Sequence, residues 1–133
     1  MTSNLKEYES AFALFKTQID CVINDDRKAQ MDIYTEDLHY EFPFATDRPK
    51  IIEGQDAFRI AMEPIWERRR KNKVRVELGK SEFHSTDEPG LFLAIFELKA
   101  VSSTNGESES APCIQLLRIR DGRIAEVREY FEP

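Results

Sequence analysis

The stretch "PCIQLLRIRDGRIAEVREYF", residues 112–131, restricts the fold more than any other part of the chain. Two runs of alternating apolar and polar residues meet there at Asp121-Gly122. Alternation marks a strand with one buried face, and Asp-Gly between two such runs is a strong hairpin signal. The turn pins the register, and the register decides which side chains share a face. One face of the last run carries Ala125, Val127, Glu129 and Phe131; the other carries Ile124, Glu126, Arg128 and Tyr130. Glu129 is thus a single carboxylate on an apolar face. A charge in such a place costs several kcal/mol unless it is paired, hydrogen-bonded or wet. On the preceding run Gln115 stands in the same way among Leu117 and Ile119, and face parity makes it the nearest partner for Glu129.

Two further alternating runs, 74–84 and 91–101, precede the hairpin, so the second half reads as an antiparallel meander of strands 74–84, 91–101, 112–120 and 123–131. "STDEPG" (85–90) is a turn by composition, and "SSTNGESES" (102–110) a polar loop. The first half has helical periodicity. Leu5, Tyr8, Phe12, Phe15, Ile19 and Val22 form one stripe over 4–23, with Ser3 as a possible cap. A short helix over 26–34, capped by Asp25 or Asp26, and a strand over 38–44 follow. After Gly54 a second long helix buries Ala57, Phe58, Ala61, Met62, Ile65 and Trp66, with a kink or break expected near Glu63 because of Pro64. Helix, helix, strand, helix and meander make an α+β arrangement with the helices on one face of a curved sheet, which can enclose a hollow.

Composition excludes several function classes. A net charge of −6 argues against a general nucleic-acid binder. Two cysteines, Cys21 and Cys113, are too few for a secreted disulfide framework, and both read as reduced thiols. No leader-like or membrane-length apolar run is present, so a soluble cytoplasmic protein, with neither nucleic acid nor membrane as partner, is the default expectation. His39 and His84 are far apart in sequence, no metal-ligand spacing occurs and no glycine-rich phosphate loop exists, so neither a metal nor a cofactor is expected. His39 alternates away from Tyr40 onto the outer sheet surface; His84 ends a strand. One local exception to the acidic balance is the cluster Arg68, Arg69, Arg70, Lys71, Lys73 and Arg75. It reads either as a solvated helix end that complements the helix dipole or as a site for an anion.

Three stretches in sequence, "IYTEDLHYEFPF", "IIEGQDAFRIAM" and "LRIRDGRIAEVREYFEP", resemble the ketosteroid-isomerase-like or SnoaL-like family of the nuclear transport factor two-like superfamily. The resemblance covers essentially residues 1–133 as one domain. It implies a conical barrel with a deep pocket, dimeric through the outer sheet face. It does not fix an activity, because the fold hosts isomerases, cyclases, hydrolases, dehydratases and inert subunits. The steroid isomerases keep their base directly before a proline; here Phe42 precedes Pro43. Their oxyanion-hole tyrosine falls near Gln18, and their protonated aspartate at Gln115. Steroid isomerase chemistry is therefore not expected. The closing "REYFEP" also resembles the phenazine-biosynthesis subfamily, whose pocket acid/base matches Glu129, although the histidine of that subfamily is missing near Ala61.

From these residues the expected site has Glu129 as acid/base and Gln115 as an orienting hydrogen bonder. Tyr40, Phe42, Gln18, Trp66, Leu117, Val127 and Phe131 would line a pocket for a small, largely apolar organic ligand. Two classes remain open. One is a proton-transfer enzyme, performing isomerisation, cyclisation or dehydration. The other is a non-catalytic dimeric module whose pocket is filled by its own aromatics. A cavity of several hundred Å3 would favour a ligand; a collapsed one would favour the module.

Overall fold

The computed structural model describes residues 2–132, and side chains from Leu5 onward; the Ser3 side chain lies outside the described residues. The chain runs α1 (Thr2–Asn24), α2 (Arg27–Asp32), β1 (Tyr34–Glu41), β2 (Ile51–Glu53), α3 (Gln55–Lys71), β3 (Val74–Ser85), β4 (Leu91–Ser102), β5 (Ser108–Arg120) and β6 (Arg123–Phe131). The α+β reading holds. The six strands form one sheet in the order β2-β1-β6-β5-β4-β3. This sheet is open, with β2 and β3 as its edges, where a conical barrel is the sequence expectation. β1 pairs parallel to β6, and every other neighbour pair is antiparallel.

The meander appears where the alternation puts it. Gly122 (φ +75°) and Asp121 (φ +53°) both take left-handed backbone, as a two-residue hairpin turn requires. The polar stretch after β4 is shorter than its composition suggests, because β5 already begins at Ser108 and pairs its polar start with Val101 and Ala100. The first strand is shifted toward the N-terminus. Tyr34, which the sequence gives to the end of a helix, and residues 35–37, which it gives to no element, start β1 instead, since Tyr34 pairs with Ile124 of β6. Asp26, not Asp25, caps α2 by accepting from the Ala29 amide at 3.2 Å. Pro64 does not break α3: Ile60, whose carbonyl loses its amide partner, lies on the exposed face with Pro64, where water can replace the bond. Ala57 likewise faces solvent, so the buried stripe of α3 is Phe58, Met62, Ile65 and Trp66.

The helices cover the inner face of the sheet. Ala11, Phe15, Gln18 and Ile19 of α1 are buried against it, whereas Leu5 and Phe12 of the expected stripe remain exposed. Phe15 meets Phe96 edge-on at 5.2 Å and stacks on Phe83 at 5.6 Å. A shift of register between Arg118 and Ile119 leaves Ala125 unpaired between Ile124 and Glu126. This bulge turns Ile124 inward to full burial, so Ile124 and Val127 share the core across the interruption rather than opposing each other as strict alternation implies. Past the bulge, Val127, Glu129 and Phe131 face inward opposite Leu117, Gln115 and Cys113.

Phe15 joins α1 to β3 and β4 with no exposed surface. Phe15→Ala is expected to lower stability by about 3–5 kcal/mol in denaturant unfolding followed by far-ultraviolet circular dichroism. A loss below about 1 kcal/mol would mean that α1 is not anchored through this ring.

Candidate functional site

At the inner face five polar side chains converge on Glu129 through one chain of hydrogen bonds. Gln30 Nε2 donates to Tyr34 Oη (3.2 Å), and Tyr34 Oη donates to Gln18 Oε1 (2.7 Å). Gln18 Nε2 donates to Gln115 Oε1 (2.8 Å), and Gln115 Nε2 donates to Glu129 Oε1 (2.6 Å). Tyr40 Oη donates to the same Glu129 oxygen at 2.7 Å. Every donor points toward the carboxylate, so each bond polarises the next in the direction that stabilises negative charge there. Among the described residues, Glu129 Oε2 has no hydrogen-bond partner. Glu129 is half-buried, and Gln18, Gln30, Tyr34, Tyr40 and Gln115 are buried.

Local structure explains the convergence. Gln18 lies one turn beyond Phe15 on α1 and is carried inward by the same stripe. Gln115 and Glu129 are direct cross-strand partners. Tyr40 stands beside Val127 on the parallel neighbour, within reach of the next inward residue of β6, Glu129. Its ring is clamped between Phe42 and Phe58, with both centroids 4.6 Å away. Burial, followed by the charge of Glu129, pushes the Tyr40 phenol well above its ordinary pKa of 10.0. Burial pushes Tyr34 up as well. Both phenols are therefore held as proton donors. Cys113 is pushed up to about 12, by burial and then by Glu129, and burial also raises Cys21; neither thiol is set up as a nucleophile.

The hollow beside Glu129 has a volume of about 70 Å3. Gln18, Tyr40, Phe42, Trp66, Gln115 and Glu129 all line it, as the sequence suggests. Leu117 and Val127 do not; they are fully buried in the core beneath it. Phe131 also stays off the cavity wall and packs edge-on against Phe42 at 6.1 Å. Sequence reasoning does not place Gln30, Arg48, Phe58, Met62 and Arg69 at the site; they line the hollow too, together with Ile19, Val22 and Leu98. The side chains of Arg27 and Trp66 make a cation–π contact at 5.1 Å on the outer side. His39 lies on the outer sheet surface as its parity implies, bonded to Glu53 and, at 2.7 Å, to Glu41. Among the described residues no group of three potential metal ligands gathers, and no helix is long and apolar enough to cross a membrane.

The SnoaL-like domain family matches residues 15–127. The chain belongs to the SnoaL-like family. An uncharacterised PhzA/B-like protein of Pseudomonas aeruginosa is 27% identical over 113 residues, covering 83% of this chain and 75% of that protein. Protein YesE of Bacillus subtilis, also uncharacterised, is 24% identical over 130 residues, covering 97% and 86%. Among solved structures, a candidate isomerase from Bacillus subtilis superposes with a TM-score of 0.80 at 23% identity over 96% of this chain and 89% of that one. A candidate polyketide cyclase from Xanthomonas campestris gives a TM-score of 0.71 at 20% identity over 93% and 91%. An NTF2-like protein from Anabaena variabilis gives 0.74 at 16% identity over 94% and 88%. At these identities the structures establish the shared SnoaL-like and NTF2-like fold.

The two buried phenols give the site a pH signature. Their pKa values are raised in the native state, so above about pH 10 the folded protein keeps protons that the unfolded chain loses. Stability from this source is complete below the unfolded value and declines as pH climbs through it toward the native ones. Denaturant unfolding at stepped alkaline pH is expected to show this decline, with a shallower slope in Tyr40→Phe. A native-state ultraviolet titration in which all four tyrosines ionise before unfolding would contradict the burial of the pair.

Proposed function

We propose that this SnoaL-like protein binds a small organic molecule in the hollow beside Glu129 and transfers a proton on it, as in an isomerisation, cyclisation or dehydration. The observation that carries the reading is the asymmetry of the carboxylate. Oε1 is fixed by Gln115 and Tyr40, while Oε2 has no partner among the described residues, in a cavity that Glu129 itself lines. A carboxylate fixed on one oxygen and free on the other presents one lone-pair site in a set direction, as a general base or acid needs. The family membership and the fold neighbours described as a candidate isomerase and a candidate polyketide cyclase support a small-molecule role of this kind. Phe42 occupies the position before Pro43, so the base of the steroid isomerases has no counterpart there, and Glu129 is the acid/base of this site.

The second reading, a non-catalytic module, is favoured by the size of the cavity, since about 70 Å3 is well below the several hundred expected of an open ligand pocket. Deuterium uptake from D2O at carbons next to the carbonyl, measured by mass spectrometry over a panel of cyclic ketones, separates the two. The wild type is expected to accelerate uptake for at least one compound. Glu129→Gln is expected to abolish it while leaving the fold intact, because glutamine can still accept from Gln115 and Tyr40. Uptake that is equal in the two proteins, or absent throughout the panel, would favour the module.

The same reading includes a homodimer through the outer sheet face. Leu93 pairs with Leu116 and Ile95 with Ile114 there, and Ile95 and Ile114 remain 38% and 39% exposed. Tyr130 and Phe44 extend this apolar surface, with centroids 5.4 Å apart. Contiguous apolar area of this kind on a sheet is a surface for association. Light scattering at micromolar concentration is expected to give twice the chain mass, and Ile114→Glu the single mass. A wild-type monomer would sink the idea.

A further inference from the structure

The proposal that Glu129 acts on a small molecule gives no role to two cations of its lining, one of them without a partner among the described residues. Arg48 and Arg69 line the same small hollow as Glu129. Arg48 comes from the loop between β1 and β2. Its guanidinium stands over the ring of Phe42 at 4.8 Å and of Phe131 at 5.0 Å, and Asp47 fixes its outer edge with bonds of 2.8 and 3.2 Å. Arg69 comes from the last turn of α3. It is half-buried and, among the described residues, makes no ion pair and no side-chain hydrogen bond.

The neighbours of Arg69 in the basic cluster are accounted for differently. Arg70 is held by Asp25 at 2.5 Å, Arg75 by Glu77 at 3.2 Å, and Arg68 is exposed. Of the cluster, Arg69 alone lines the inner hollow, and it also lines a wider basin of about 260 Å3. Val22, Trp66 and Arg69 line both spaces, and Lys73, Arg70 and Arg75 add positive charge to the outer one against the single acid Asp25. Desolvation and, after it, the charge of Arg48 both work against the cation on Arg69. An arginine does not give up its proton under such pressure. Asp25 and Glu129 offset this only in part, and Arg69 has no direct partner among the described residues beside an Arg48 already paired with Asp47, so an anion reaching Arg69 would relieve its charge.

We infer that the ligand is an organic acid, whose carboxylate sits between Arg48 and Arg69 in the hollow that both line while its reacting carbon reaches Glu129. This rests on the proposed Glu129 site and narrows its ligand from a small organic molecule of unspecified charge to an anionic one. Guanidinium groups suit the task, because their planar donors match a carboxylate in two-point bonding. Arg48 is also pre-oriented by its two rings and Asp47, so little freedom is lost on binding.

The test uses 3-oxocyclohexanecarboxylate and its primary amide, which differ in charge and hardly in shape. Trp66 is the single tryptophan of the chain and lines both spaces, so its fluorescence reports binding directly. The acid is expected to bind at least about tenfold more tightly than the amide. Arg69→Gln is expected to remove that preference while keeping amide binding, and Arg69→Lys to retain part of it. Arg120→Gln, which removes the same charge outside both spaces, should change nothing. Equal binding of acid and amide by the wild type, or loss of both ligands alike in Arg69→Gln, overturns the anion assignment and leaves the Glu129 cavity standing. Binding of neither compound overturns the cavity reading itself, and this inference with it.

Discussion

The structure around the site depends on keeping one carboxylate inside an apolar face. Glu129 is flanked on β6 by Val127 and Phe131, neither of which can bond it. An isolated charge there would cost more than a small domain can absorb. The remedy is a relay of neutral groups drawn from four elements: Gln30 of α2, Tyr34 and Tyr40 of β1, Gln18 of α1 and Gln115 of β5. Gln18 and Gln115 each use the oxygen to receive and the nitrogen to pass on, so the donors line up toward the carboxylate. Such a relay fixes the relative positions of α1, α2 and the sheet more tightly than apolar contact alone, because hydrogen bonds have direction.

Much of this was legible in the sequence, and for identifiable reasons. Asp121-Gly122 marks the hairpin of β5 and β6, and alternation along each run marks Gln115 and Glu129 as lone polar groups on apolar faces. Their direct pairing depends on the bulge at Ala125, since the turn register by itself would set Gln115 opposite Arg128. Tyr40 and Phe42 follow from alternation in the short strand before Pro43. The remainder depends on contacts between segments far apart in the chain. Tyr34 reads as a helix end because nothing local reveals that its strand partner is Ile124, 90 positions later. Ala125 carries a bulge that alternation has no means of marking, and so Ile124 reads as an outward residue. Arg48 lies in a loop of polar and proline residues, where no periodicity says which side chain turns inward. Arg69 sits within a run of cations whose members differ only in what the folded chain offers each of them.

The size of the hollow follows from the same residues. Phe42, Tyr40 and Phe58 stack in succession, and Tyr34 and Trp66 close against Phe58 edge-on at 5.5 and 6.4 Å. Aromatic packing of this kind fills most of the space between α3 and the sheet. What remains is lined by the hydrogen-bonding groups and two guanidinium groups rather than by hydrocarbon alone. A void left by imperfect packing would be apolar. Polar walls instead offer water or a ligand groups to bond.

The strands that hold the site also face outward, and the period of two ties both faces together. Gln115 looks inward only if Ile114 and Leu116 look outward, and Glu129 only if Arg128 and Tyr130 do. A slip of one residue in β5 would carry Gln115 to solvent and bring an isoleucine to the carboxylate, leaving Glu129 short of one of its two donors. The apolar outer face therefore does more than offer a surface for association. Covering it would penalise every such slip from the opposite side, because polar residues of the inner face would then be buried against a partner. The geometry of Glu129 is thus held from within by the relay, and the same period of two that turns Gln115 inward gathers Leu93, Ile95, Ile114 and Leu116 on the opposite surface.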